Sequence, residues 1–174
     1  RREPFPAWPR ITEEMKKSLI HTFEEEEWGV GSKTITLFNE QFATMQDAKY
    51  CLSIHSGTSA IWICLKAAGI EAGDEVILPS YTFIATATAV VLANAVPVFA
   101  DIDKKTANLD PTSVEKLITK KTKAIIPVHT AGAPADMKAF LDISKKYNIP
   151  IIEDAAQGHG SMIDNKKVGA IGIG

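Results

Sequence analysis

The chain has 174 residues, of which 45% are hydrophobic and 23% charged, values typical of a globular domain with its own core. The formal net charge of −2 gives no reason to expect binding to nucleic acid or to an anionic membrane, and no apolar run is long enough to span a bilayer. Two cysteines, Cys51 and Cys64, lie in apolar segments, which favours free thiols in a reducing compartment, so we expect the cytoplasm. The chain does not begin with Met and ends on Gly174 without a helix cap or a polar tail, so we expect it to be trimmed at both ends.

Residues 1–48 are predicted to form an extended arm followed by two helices. The first ten residues contain three prolines and two aromatic residues, and proline both removes a backbone donor and disfavours helix. A first helix is predicted to begin after the N-cap Thr12 and to run to about Glu26 or Glu27. After a short loop, residues 34–45 show helical spacing, with their apolar side chains on one face.

From residue 50 the pattern changes to an alternation of strands and helices. Strands are predicted over 50–54, 75–78, 96–100, 124–128 and 149–153, with helices over 58–68, 82–94, 111–118 and 134–147. Repeated strand–helix units of this length predict an α/β fold: a mainly parallel sheet with helices on both faces and right-handed crossovers. We therefore separate the arm and helices over 1–48 from an α/β domain over 49–174.

Three loops of this domain are expected at one edge of the sheet. Asp154 follows the last predicted strand, and ligands of open α/β sheets bind at the carboxyl ends of the strands. The small and hydroxylated residues 56–59 precede a helix, whose N-terminus could bind a phosphate, although serine and threonine are equally good as simple N-caps. The third loop contains Tyr81 and Phe83. We expect Phe83 to stack on a flat ligand and Tyr81 to cover the top of the helix that follows this loop.

This edge of the predicted sheet would therefore bring together a helix N-terminus that can bind an anion, an aromatic ring, a carboxylate and the side-chain amide of Gln157. A flat aromatic cation that carries a phosphate fits all four, and pyridoxal 5′-phosphate (PLP) is such a ligand. The acid would pair with the pyridine nitrogen and raise the pKa of that nitrogen by favouring its charged form. Two histidines, His129 and His159, are ambiguous, because a lone histidine is more often structural; neither has metal-ligand spacing, so no metal site is expected.

Five sequence runs carry a resemblance to a known family. They cover residues 56–60, 73–83, 97–103, 122–129 and 152–157, and they occur in the order and at the spacing of the DegT/DnrJ/StrS family of PLP-dependent sugar aminotransferases. The resemblance extends over nearly the whole chain and implies the large domain of the type I (aspartate aminotransferase) fold. The opening run, residues 5–9, is similar to members that act on cyclitols or aminobenzoate precursors.

The resemblance also implies roles for particular residues. Gly57 and Thr58 would hold the phosphate of PLP, Phe83 would stack on its ring, Asp154 would pair with the pyridine nitrogen, and Gln157 would hydrogen-bond the ring hydroxyl. The implied reaction moves an amino group from glutamate or glutamine to a keto sugar, a sugar nucleotide or a cyclitol. Family active sites lie between two subunits, so a homodimer is implied as well.

One required residue has no counterpart in the chain. The family's Schiff-base lysine would lie beyond Gly174, and Lys166 and Lys167 come too early, so the catalytic residue stays unassigned. Residues 49–174 would then be an incomplete PLP-binding large domain without the small C-terminal domain, and we expect the 174-residue chain alone to be inactive. Two alternatives stay open: a sugar dehydratase of the same family, in which a histidine replaces the lysine, and a non-catalytic binding or regulatory module.

Overall fold

The computed structural model describes residues 8–174, so the first seven residues of the predicted arm lie outside the described residues. Its helices are α1 (Glu13–Glu24), α2 (Lys33–Met45), α3 (Gly57–Ala67), α4 (Ile84–Leu92), α5 (Pro111–Leu117) and α6 (Met137–Tyr147). Its strands are β1 (Glu75–Pro79), β2 (Val96–Ala100), β3 (Thr122–Ile125), β4 (Met162–Ile163) and β5 (Lys166–Lys167). Over residues 8–174, no helix combines the length and the apolar character needed to cross a membrane.

Polar side chains cap the helices where the sequence places them. The hydroxyl of Thr12 accepts from the backbone N–H of Met15 at 3.1 Å, as predicted for an N-cap. Asp110 accepts from the N–H of Thr112 at 2.9 Å in front of α5. Helix α1 ends at Glu24, earlier than predicted, because the chain turns into the left-handed region at Glu26, where φ is 52°.

The main sheet is parallel and has the strand order β2-β1-β3. Residues 149–154 extend it beyond β3, with parallel bridges from Ile125 to Ile151 and from Val128 to Asp154. This segment lies where a last strand was predicted, but it forms separate bridges instead of a regular strand, and β3 ends three residues early. The reason is that Pro127 and Pro150 have no N–H to donate to a ladder.

Helices pack on both faces of the sheet, which confirms the predicted α/β architecture. In β1 the side chains of Val76 and Leu78 join a core with residues of α3 and α4. The intervening Ile77 joins a second core with residues of α5 and α6. Successive side chains of a strand point to opposite faces, so one short strand contributes to both layers.

Two parts of the chain differ from the predicted elements. Residues 50–54 are not a strand: Tyr50 is 77% exposed, Leu52 is 74% exposed, and the N–H of Ser53 donates to the side chain of Asn39 at 2.9 Å instead of to a neighbouring strand. A strand requires such a neighbour, and none lies beside this segment within residues 8–174. Conversely, β4 and β5 form a hairpin around Asp164 and Asn165, which both have positive φ, as a two-residue hairpin turn requires.

Candidate functional site

A cavity of about 780 Å³ lies at the carboxyl-end edge of the sheet. Four separate parts of the chain line it, within residues 56–61, 81–85, 128–131 and 153–157. The five residues that the sequence singles out all belong to this lining: Gly57, Thr58, Phe83, Asp154 and Gln157. The structure thus brings together side chains that are up to a hundred residues apart in the sequence. Phe83 and Asp154 meet there because the parallel strands end at this edge, and Gly57 and Thr58 join them at the N-terminus of α3.

The N-terminus of α3 contributes backbone donors to the cavity. The hydroxyl of Ser56 accepts from the N–H of Ser59 at 3.2 Å, so Ser56 is an N-cap. The N–H groups of Gly57 and Thr58, in the first turn, have no partner inside the helix. A Cβ at Gly57 would meet no atom within 4 Å, so packing within the chain does not explain the glycine. The open space there fits an anion approaching the helix N-terminus closely.

The carboxylate of Asp154 is held by two donors. Its Oδ2 accepts from the hydroxyl of Thr86 at 2.7 Å, and its Oδ1 accepts a longer bond from the N–H of Ala156 at 3.3 Å. The Thr86 hydroxyl also contacts the hydroxyl of Thr82 at 2.8 Å. The sequence reasoning missed Thr86; the available signal was a hydroxyl residue on the buried face of a helix made mainly of alanine and valine.

Gln157 is oriented by a strained loop on the other side of the cavity. Its side-chain oxygen accepts from the N–H of Ala131 at 2.5 Å, and because a backbone N–H can only donate, the NH₂ group of Gln157 remains a donor. Ala131 itself has φ 53°, a left-handed conformation that is unfavourable for a residue with a Cβ. Asn108 holds this loop, accepting from the N–H of Thr130 and donating to the carbonyl of Ala133, both at 3.0 Å.

Two aromatic side chains form part of the cavity wall. Phe83 is 73% exposed and Tyr81 is 59% exposed, and both line the cavity. That Tyr81 covers the top of the helix and that Phe83 stacks on a ligand both stay predictions, since each ring is more than half exposed. Both rings are therefore accessible to a flat ligand in the cavity.

Of the two ambiguous histidines, His129 has a structural setting, whereas His159 is exposed. His129 is fully buried, and its Nδ1 accepts from the N–H of Ala135 at 3.1 Å. In a neutral ring the proton therefore lies on Nε2, which is 3.0 Å from Oε2 of Glu153. His159 meets the ring of Phe42 edge to face, with 5.7 Å between ring centroids. Neither histidine belongs to the described lining of the cavity, which favours the structural interpretation.

Glu153, beside Asp154 in the chain, is a fully buried carboxylate that sequence reasoning did not single out. Burial alone would raise the pKa of its carboxyl. The hydrogen bonds from His129 and from the N–H groups of Gly172, Gly169 and Ile171 outweigh that effect and hold the pKa below its ordinary value. The pattern of two adjacent acids was the missed signal, because neighbouring side chains of an extended segment point to opposite sides, so one of them must be satisfied inside the protein.

Comparison with known proteins gives a consistent result. The sequence model of the DegT/DnrJ/EryC1/StrS aminotransferase family matches residues 9–174. The chain is 39% identical to an L-glutamine:2-deoxy-scyllo-inosose aminotransferase of Streptomyces kanamyceticus, over 99% of this chain and 42% of that protein. It is 38% identical to a 3-amino-5-hydroxybenzoate synthase of Amycolatopsis mediterranei, over 96% of this chain and 43% of that protein. The chain thus spans less than half the length of these relatives.

A solved structure shares the same fold. The crystal structure of NtdA from Bacillus subtilis, with bound cofactor PMP, superposes with a TM-score of 0.82 and 35% sequence identity. The match covers 89% of this chain and 36% of that one. The parallel sheet and its helices therefore have the arrangement found in a structure with bound PMP.

Proposed function

The chain belongs to the DegT/DnrJ/EryC1/StrS aminotransferase family, and we propose that it is the cofactor-binding part of a longer PLP-dependent aminotransferase. Residues 49–174 would form most of the large domain. The small C-terminal domain and the Schiff-base lysine would lie beyond Gly174. The partial coverage of the relatives, 42% for the first of them, supports this division.

The cavity has the chemical groups that PLP requires. The N–H groups and the hydroxyl at Gly57 and Thr58 would bind the phosphate, with the dipole of α3 favouring its charge. The exposed ring of Phe83 would stack on the pyridine ring. The NH₂ group of Gln157, left free to donate, would bond the ring oxygen. The single observation that supports the proposal most strongly is that these groups and Asp154 line one cavity.

Asp154 would pair with the pyridine nitrogen. Its carboxylate is half-buried, and a partly desolvated carboxylate is most stable opposite a positive charge. It would therefore keep that nitrogen protonated. PLP, when bound in its protonated form, supplies an electron sink for the carbanion chemistry of amino group transfer.

The substrates are proposed from the relatives. An amino donor, glutamate or glutamine, would load the cofactor, and a keto sugar, a sugar nucleotide or a cyclitol would take the amino group. The relative of S. kanamyceticus bears a name that specifies glutamine and a cyclitol ketone, which favours the cyclitol class. We further propose a homodimer in the cytoplasm.

The test is a half-reaction of the purified full-length protein. The protein is loaded with PLP, mixed with L-glutamine or L-glutamate without any acceptor, and followed by absorbance as PLP converts to pyridoxamine phosphate. The proposal expects conversion with at least one donor and its reversal by a keto sugar or cyclitol ketone. Binding of PLP without conversion by either donor would contradict the aminotransferase activity.

A further inference from the structure

The hydroxyl of Thr86 differs from those of other helical threonines in this chain. A threonine inside a helix commonly donates to the carbonyl four residues earlier. Thr88, in the same helix, does so at 3.0 Å, and three further threonines do the same: Thr22, Thr36 and Thr44. Thr86 is completely buried and instead donates to Oδ2 of Asp154 at 2.7 Å, across 68 residues of sequence.

The direction of the hydrogen bonds follows from the chemistry of the groups. An ionised carboxylate can only accept, so the one proton of the Thr86 hydroxyl is used on Asp154. The 2.8 Å contact between the two threonines must then be a bond donated by Thr82 to Thr86. The Thr82 hydroxyl therefore donates to the Thr86 hydroxyl, which donates to Oδ2 of Asp154, and the first hydrogen bond strengthens the second.

This arrangement leaves the two oxygens of Asp154 unequal. Oδ2 has a short bond from a buried donor, whereas Oδ1 has only the 3.3 Å contact from Ala156. Oδ1 is thus the oxygen with the weaker existing partner and the greater capacity for a strong new donor. Asp154 lines the cavity, so that donor would come from a ligand there.

We propose that Thr86 is a positioning residue: it fixes the rotation of the Asp154 carboxylate and so presents Oδ1 to the protonated ring nitrogen of PLP. This inference rests on the proposed function, because it takes the ligand to be PLP. Without the Thr86 bond, the carboxylate would have to be ordered at the moment of binding, at a cost in affinity.

The experiment measures the affinity of the full-length apoprotein for two ligands, PLP and 1-deazapyridoxal phosphate, in which carbon replaces the ring nitrogen. Thr86→Val removes the hydroxyl at nearly constant shape, Thr86→Ser keeps it, and Thr88→Val is a matched control in the same helix. We expect Thr86→Val to weaken PLP binding about tenfold, equivalent to ~1.4 kcal/mol, and Thr86→Ser and Thr88→Val to change it less than about twofold. The affinity of Thr86→Val for the analogue should equal that of the unchanged protein, because the analogue has no nitrogen for Asp154 to bind.

Two results would overturn the inference while leaving the proposed function intact: unchanged PLP affinity in Thr86→Val, or an equal weakening for PLP and for the analogue. Failure of the unchanged protein to bind PLP would overturn both. Thermal melting of each apoprotein checks folding. Thr86→Ala, which removes the hydroxyl without placing a methyl group beside the carboxylate, gives the same comparison should the valine variant not fold.

Discussion

Replacing Glu153 by glutamine should destabilise the protein strongly, although the change removes only one charge. Oε1 of Glu153 accepts from the N–H groups of Ile171 and Gly172 at 2.7 and 2.6 Å, and Oε2 accepts from Gly169 at 2.9 Å and from His129 at 3.0 Å. Glutamine puts an NH₂ group in place of one oxygen, so two of these bonds become contacts between donors. With a hydrogen bond to a buried charge worth roughly 1.5–3 kcal/mol, the expected loss is about 3–5 kcal/mol in the free energy of unfolding.

The dependence of this loss on pH gives a second check. The folded-state pKa of Glu153 is lower than its ordinary value of 4.5, so the stability it contributes is complete above that value and is lost as the pH falls through the folded-state pKa. The difference between the unchanged protein and Glu153→Gln should therefore narrow in acid below pH 4.5.

Urea unfolding of the full-length protein, followed by circular dichroism across this pH range, measures both effects. Glu115→Gln is the control, since Glu115 forms its bonds to Lys146 and Tyr147 at the surface, and it should change stability far less. Faster exchange of the amide hydrogens of residues 169–172 in Glu153→Gln would locate the damage. A loss below about 1 kcal/mol, or one that does not vary with pH, would refute the reasoning.

Four further substitutions test the site and its surroundings. Gly172→Ala should lower the melting temperature, because its Cβ would lie 2.5 Å from the carbonyl oxygen of Ile151. Gly57→Ala, whose Cβ would have no atom within 4 Å, should leave the melting temperature unchanged and weaken PLP binding. Equal melting temperatures for the two variants would contradict this difference in packing. Ala131→Gly should raise stability by up to about 1 kcal/mol by relieving a left-handed conformation, and lower stability in a urea titration would contradict that. Asp154→Asn should reduce PLP-dependent activity far more than it lowers the melting temperature; equal losses would indicate a structural role.

The general architecture could be predicted from the sequence because it depends on repeated local patterns. The alternation of apolar strands and helices after residue 74 specifies parallel units, and parallel units bring loops from distant parts of the chain to one edge. Phe83 and Asp154 meet in one cavity for that reason, whereas Gly57 joins them from the N-terminus of α3, which follows no strand in the described residues. Their individual roles toward a ligand stay predictions.

Contacts across long sequence distances could not be predicted in the same way. Residues 50–54 have the composition of a strand, but a strand forms only beside a partner, and single-sequence patterns do not identify partners. The four donors around Glu153 and the hydroxyl of Thr86 likewise become visible only when the segments are assembled. The proline interruptions at 127 and 150 were readable in advance, and they explain why the predicted strands are shorter than expected.

A crystal structure of the full-length protein soaked with PLP would test most directly whether this cavity is the cofactor site. The account predicts the phosphate at the N–H groups of Gly57 and Thr58, the ring against Phe83, and Oδ1 of Asp154 within hydrogen-bonding distance of the ring nitrogen. PLP bound elsewhere on the protein, or a saturating soak that leaves this cavity empty, would contradict it.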